Sequence, residues 1–337
     1  MQQPFRALAY VSLLSLGALV ACATSGKNGT QGPPPPPPLK IEGSAYEAAA
    51  VVRLPDAKAA EGPGLHNVYH LSPNVISGSE PHGEEALAEL ARMGVKTVLS
   101  VDGQAPDHQT AAKYGLRYVH IPIQYKGITQ EEMLKIAKTF REAEGPFYVH
   151  CFHGKHRGPA AAAIGRILLD GAPREVAAAE MRQWCGTGAE YDGLYRAVLT
   201  QELPDADATA RLDYDMPPQV PFGGLREAMV QVSRAHDHVQ DLLKLPEMVD
   251  PEHPDLDVVN EATKMLQALE GSLQSEECAQ GPADLRQWMT DSVERSRQLV
   301  ATLRSVKAGE VSARAAAEAE FKSVRNLCSQ CHRKYRN

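Results

Sequence analysis

The stretch His150-Cys151-Phe152-His153-Gly154-Lys155-His156-Arg157 decides how this chain is read. The apolar run Phe147-Tyr148-Val149 leads into it and an alanine-rich segment follows, so a strand enters a tight loop that opens a helix. Five residues separate Cys151 from Arg157, enough for one turn whose backbone N–H groups converge on an anion at the helix N-terminus. A thiol held there is drawn toward thiolate by the N–H groups, the helix dipole and the guanidinium, which makes Cys151 the candidate nucleophile. Arg157 presents a planar fork for two phosphate oxygens. His150, Phe152, His153, Gly154, Lys155 and His156 are candidates for lining the phosphate site.

Strand, cysteine, glycine, arginine and helix in this order resemble the signature loop of the cysteine-dependent tyrosine and dual-specificity phosphatases. Gly154-Lys155-His156-Arg157 is similar to the variant in atypical members, some of which act on inositol pyrophosphates. The resemblance covers residues 62–202 and implies a phosphocysteine mechanism. Cys151 attacks phosphorus, Arg157 and the loop N–H groups hold the equatorial oxygens, and water hydrolyses the intermediate. The family places an aspartate general acid on the loop ahead of the helix that precedes the signature strand. Here that loop reads Gln124-Tyr125-Lys126-Gly127. Lys126 stands where the acid is expected, and a lysine near its ordinary pKa is a poor proton donor. Asp102, in Val101-Asp102-Gly103, is the first candidate in its stead, with a turn-capping role beside it as the plainer reading. Gly158 also departs from the family, which carries a Ser or Thr there to stabilise the departing thiolate. Lys126, Lys155, His153 and His156 suit a polyphosphorylated substrate, a solvated basic rim being the alternative.

Outward from the loop, the pattern predicts an α/β three-layer phosphatase-like domain followed by an all-α four-helix bundle. Leu65–Tyr69 and Asn74–Gly78 flank Ser72-Pro73 as a hairpin. A helix from Gly83 to Gly94, a strand over Val95–Val101, a helix over Asp107–Tyr114 and a strand over Tyr118–Pro122 follow. Thr129-Gln130-Glu131-Glu132 is a capping box that starts a helix reaching Ala143. Strands alternating with helices at this spacing indicate a sheet covered on both faces, with the loop at the carboxyl end of its strand. Leu203–Gly224 loses periodicity and gains proline and aspartate, which marks residues 203–222 as a linker.

Residues 223–337 read as four amphipathic helices with short connections. The last contains Cys328-Ser329-Gln330-Cys331-His332. Two thiols three apart on a helix can add to the haem vinyl groups, and the adjacent imidazole then reaches iron. A zinc site lacks a nearby fourth ligand, and a thioredoxin-like pair lacks its βαβ setting. The ending through Tyr335-Arg336 resembles the C-terminus of cytochromes c-prime. That resemblance implies one covalent haem c, His332 as proximal iron ligand and Arg336 near the haem's proximal side. It also implies a distal position near Met229 or Val230, where Met229 as a core residue is the competing reading. His236 and His238 read as surface or core residues.

Residues 1–21, with Arg6 and the apolar run Ala7–Ala21, read as an export signal too short to span a bilayer comfortably. Leu19-Val20-Ala21-Cys22 resembles a lipoprotein cleavage motif, implying a lipid on Cys22 and anchorage on the periplasmic side of a bacterial membrane. A plain signal peptide is the alternative. Residues 22–61, with six prolines over Pro33–Pro38, then form a stiff tether. Of the six cysteines, Cys185 and Cys278 have no assigned role; a lone buried cysteine is the plainer reading of Cys185, and a reversible disulfide partner for Cys151 the other. The net charge of −7 is spread out and gives no nucleic-acid surface. The expected partners are a phosphorylated small molecule or phosphoprotein, a membrane, and a redox partner or small gas at the haem. The functional expectation is a phosphatase fused to a haem domain that either modulates it or is its structural or redox neighbour. The alternative is an electron-transfer or gas-binding haem protein whose first domain only binds phosphorylated ligands.

Overall fold

Three short segments build the centre of a sheet because each is buried along its whole length, as parallel strands under helices must be. The computed structural model describes residues 35–220, 223–251, 253, 256–310 and 312–335. Its strands are β1 (Ala60–Gly62), β2 (Leu65–His70), β3 (Val75–Gly78), β4 (Thr97–Ser100), β5 (Arg117–His120) and β6 (Phe147–His150). They lie in the order β1-β2-β3-β6-β4-β5. The hairpin β2–β3 is antiparallel, whereas β3, β6, β4 and β5 run parallel. Strand β6 is therefore central, and Cys151 emerges from its carboxyl end between β3 and β4. β1 is an edge strand with no counterpart in the sequence reading.

The capping box forms as expected: Thr129 accepts from Glu132 N–H, Glu132 accepts from Thr129 N–H, and the helix runs Gln130–Glu142. Asp107 caps the helix His108–Lys113 by accepting from Thr110 N–H. The helix Arg157–Asp170 begins at the arginine itself and is buried along most of its length. Its small residues allow close approach to the sheet. A Cβ on Gly158 would lie 2.9 Å from the Cys151 nitrogen, and one on Gly165 would lie 2.6 Å from the Phe140 ring.

The segments on either side of the phosphatase-like domain depart from expectation. The described part of the tether is fastened to the domain: Arg174 donates to Pro36 O, Leu39 N–H to Leu199 O, and Asp192 caps a short helix at Ala45–Ala48. Proline content limits the chain's internal freedom but does not stop it docking. The linker is docked too. His120 N–H donates to Pro217 O along the outer edge of β5, and residues Ala206–Arg211 form a helical turn and a half.

The C-terminal region is helical, with long helices at Leu225–Leu242, Val258–Gln274, Ala283–Lys307 and Ala313–Tyr335. Their apolar stripes share one core, including Val239, Met265, Leu299 and Val324. This region lies against the phosphatase-like domain: Gln267 exchanges hydrogen bonds with the Ala105 backbone, and His253 meets the Tyr191 hydroxyl at 3.3 Å. No described helix is long and apolar enough to cross a membrane.

Candidate active site

The loop turns because Gly154 takes φ +72°, a left-handed conformation that glycine adopts without penalty. A Cβ there would sit 2.3 Å from the Gly78 carbonyl carbon, so the loop also presses on β3 too closely for a side chain. Further ties come from outside. Asn67 donates to His153 O at 2.9 Å, Thr187 Oγ1 donates to Lys155 O at 2.6 Å, and His156 stacks on Tyr191 with ring centroids 4.1 Å apart. Cys151 and Arg157 are buried at the two ends of this loop.

Asp102 is the residue whose position most changes its reading. It leaves β4 just past the carboxyl end and is 2% exposed. Its Oδ2 accepts from Arg157 Nη2 at 2.5 Å and from Phe152 N–H at 3.1 Å, and its Oδ1 accepts from Gln104 N–H at 2.9 Å. Lys264 Nζ approaches the same oxygen at 3.8 Å. A carboxylate accepting from this many donors is a holder of Arg157 and the loop rather than a proton donor, and the bond from Gln104 N–H is the turn-capping role read beside the general acid. Arg157 also donates to the Tyr125 hydroxyl at 2.9 Å and lies over that ring, 4.2 Å from its centroid.

His150 needs a correction too. It ends β6 inside the core, meets the Tyr118 hydroxyl at 3.3 Å, and burial pushes its pKa down to about 4. A neutral, enclosed imidazole supports the strand and offers phosphate nothing. Phe152 gives its N–H to Asp102 Oδ2, and its ring points to His82. His153 and Lys155 line neither Arg157's cavity nor the Tyr125 side; they border a second cleft with Phe152. Lys126 is exposed and borders the Arg157 cavity. Cys185 is buried, and burial raises its thiol's pKa, the opposite of an activated thiol.

That cavity, of about 780 Å³, is roofed by the helical region. Arg157, Tyr125 and Lys126 line one side; His238, Glu261 and Lys264 line the other. Lys264 Nζ lies 2.8 Å from Glu261 Oε1, and His238 Nδ1 lies 2.8 Å from Glu261 Oε2. Burial works against the charge on Lys264, but Asp102 and Glu261 outweigh it and keep the ammonium protonated. Sequence reasoning did not single out Glu261 or Lys264 and read His238 as a surface or core residue. Their only trace is two charges and a histidine on otherwise apolar helical stripes.

At the other end of the helical region, Cys328 and Cys331 are free and half-buried against the core, with His332 exposed at the next position. Burial raises both thiol pKa values, so they stand as neutral thiols. Two thiols three apart and an adjoining imidazole are the donor set that covalent haem attachment needs. Met229 is half-buried against the same core, whereas Val230 is exposed. Cys22 and Arg336 lie outside the described residues.

The loop, its central strand and the arginine at the helix N-terminus define a class. Residues 67–183 match the family model described as Swiss Army Knife protein, DSP-PTPase phosphatase domain, and this region is a DSP-PTPase-like phosphatase domain. Among particular proteins, the chain is 31% identical over 145 residues to the dual specificity protein phosphatase TpbA of Pseudomonas aeruginosa (strain UCBPP-PA14). The overlap is 42% of this chain and 65% of that relative's length. A crystal structure of P. aeruginosa TpbA in complex with pTyr is 27% identical, covering 44% of this chain and 98% of that one, with a TM-score of 0.34. The core catalytic domain of the PP-IP phosphatase SIW14 from S. cerevisiae is 17% identical, covering 43% and 90%, with a TM-score of 0.35.

Proposed function

We propose that this chain is a cysteine-dependent phosphatase that cleaves phosphate esters or phosphoanhydrides through a phosphocysteine. The observation that carries the reading is the Cys151–Arg157 loop at the carboxyl end of the central strand, with Arg157 buried beneath a cavity open to a ligand. In the first step a bond forms between Cys151 sulfur and phosphorus as the P–O bond to the leaving group breaks. Arg157 and the loop N–H groups hold the remaining oxygens. In the second step water attacks phosphorus and the thiolate departs. Gly158 offers no hydroxyl to that thiolate, and the close approach of its backbone to Cys151 leaves no room for one without a shift. The purified full chain should release phosphate from a panel of aryl phosphate, phosphotyrosine peptide and inositol polyphosphate. Phosphate-analogue binding without release from any of them would favour the alternative of a binding domain.

The proposal extends to the helical region as a four-helix, c-type haem domain of the cytochrome c-prime kind. Cys328 and Cys331 would hold the haem covalently and His332 would ligate iron, with Met229 at the distal side. Such a group supplies electron transfer or gas binding. Cys22 would carry the lipid that holds the protein on the periplasmic face of a bacterial membrane. The support is the donor set on the last helix together with the export-like segment 1–21. Expressed in a bacterium that attaches c-type haem, the full chain should sit in the membrane fraction and show haem absorbance that survives denaturation and acid extraction. Cys328→Ser with Cys331→Ser should remove that absorbance, and Cys22→Ser should move the protein to the soluble fraction. A wild type without resistant haem would sink the haem assignment; a Cys22→Ser protein still at the membrane would sink the anchor.

A further inference from the structure

The mechanism above leaves the leaving oxygen without a proton donor. The loop at 124–127 brings Lys126, and Asp102 is engaged as an acceptor for Arg157, Phe152 and Gln104. A donor on another wall of the cavity that Arg157 lines would fill that role, and the helical region forms that wall.

We propose that His238, on the helix Leu225–Leu242, is the general acid for the leaving group and that Glu261 is its positioning residue. This deepens the phosphatase reading and rests on it. His238 borders the cavity that Arg157 floors, with its side chain 44% exposed. Its Nδ1 lies 2.8 Å from Glu261 Oε2, which fixes the ring and leaves Nε2 as the nitrogen that carries the exchangeable proton. Glu261 is 3% exposed and is bound through its other oxygen to Lys264, itself 3.8 Å from the Asp102 that grips Arg157. One chain of charged contacts thus joins the imidazole to the phosphate-holding guanidinium across the two parts of the molecule.

The electrostatics agree. The hydrogen bond to Glu261 raises the pKa of His238 above its ordinary value, burial and Lys264 oppose it, and Asp237 adds to it. Burial pushes the Glu261 carboxyl up, but Lys264 and His238 outweigh burial and hold it ionised. The other imidazoles of the cavity are placed differently. His120 has one nitrogen on Asp102 O and the other on Val220 N–H, and burial lowers its pKa. His253 faces the Tyr191 hydroxyl, a neutral partner. Among the described residues His238 is the cavity imidazole paired with a carboxylate.

The step balances. As sulfur bonds to phosphorus and the P–O bond breaks, the Nε2 proton of the imidazolium passes to the leaving oxygen. In the second step the neutral imidazole takes a proton from the attacking water as the S–P bond breaks. Activity should therefore fall as pH rises through the pKa of His238.

The test uses the full chain and two substrates, para-nitrophenyl phosphate with a good leaving group and an alkyl phosphate with a poor one. His238→Gln should lose about 10²- to 10³-fold on the alkyl phosphate and less than about 10-fold on the aryl ester. It should also lose the descending limb of the pH–rate profile. Glu261→Gln should move that limb to lower pH. Tungstate binding by each variant, measured calorimetrically, reports whether the phosphate site is still formed; with that binding retained, equal losses on both substrates or an unmoved limb would overturn the assignment. A His238→Gln protein that no longer binds tungstate would overturn it as well, since the ring would then be structural, unless Glu261→Gln still moves the limb, which would sustain it. If Cys151→Ser fails to stop cleavage, the phosphatase reading itself has failed, which is a separate result.

Discussion

Replacing Cys151 with serine is expected to lower turnover by at least about 10⁴-fold while phosphate-analogue binding stays within a few-fold of wild type. The two halves of that expectation come from different atoms. Binding depends on the loop N–H groups and Arg157, and these are fixed by Gly154's left-handed turn and by Asn67 and Thr187 holding the loop carbonyls. Serine is smaller than cysteine and sits in the same buried position, so none of those contacts has to move. Attack on phosphorus depends on an ionised nucleophile, and a hydroxyl does not ionise where a thiol does. Steady-state rates on the aryl phosphate and calorimetric binding of tungstate, on the same preparations, separate the two. A serine variant with a rate within about 10-fold of wild type would mean that the chemistry bypasses this thiol. The loop would then be a binding site only.

The parts of this molecule that were legible in the sequence are those whose cause is local. A strand, a cysteine, a turn and an arginine at a helix start all lie within one short stretch, and the structure places Cys151 and Arg157 at the two ends of that loop. The capping box at Thr129 and Glu132 is likewise written in four consecutive residues. The apolar stripes of the long helices repeat with the helical period, so the helical character of residues 223–337 was readable. For Asp102 the turn-capping reading is seen in the bond from Gln104 N–H, whereas its grip on Arg157 was not legible because that partner is 55 positions away, and a turn aspartate looks the same whether it caps, donates or grips a guanidinium. His150 was misread because it adjoins the cysteine, although the apolar run before it already indicates a strand buried on both faces. The docking of residues 35–61 through Arg174 and Asp192 had no periodic signature at all. The same holds for Lys264, Glu261 and His238. Their meaning depends on which face of the helical region meets the sheet, and no pattern within either part specifies that.

Asp102→Asn carries the second large effect, and it is chiefly one of stability. The native carboxylate neutralises Arg157 at 2.5 Å and faces Lys264 at 3.8 Å while almost wholly enclosed. Asparagine keeps the shape but removes the charge, and one of its two oxygens becomes an amide NH₂ that must face either the Gln104 N–H or the Phe152 N–H and Arg157. Breaking a buried ion pair from one side leaves the other charge uncompensated, which costs about 3–5 kcal/mol. The midpoint of urea unfolding should fall accordingly. The unpaired cations also make a prediction that simple loss of packing does not. Adding Lys264→Met to Asp102→Asn removes one of the stranded charges, so the double variant should recover about 1 kcal/mol or more relative to the sum of the single changes, a non-additivity characteristic of residues in contact. Strict additivity would show that Lys264 and Asp102 do not sense each other, and the charged chain from the helical region to Arg157 would be broken at that link. A single Asp102→Asn variant as stable as wild type would go further, since it would mean that Arg157 does not depend on this carboxylate for its place in the loop.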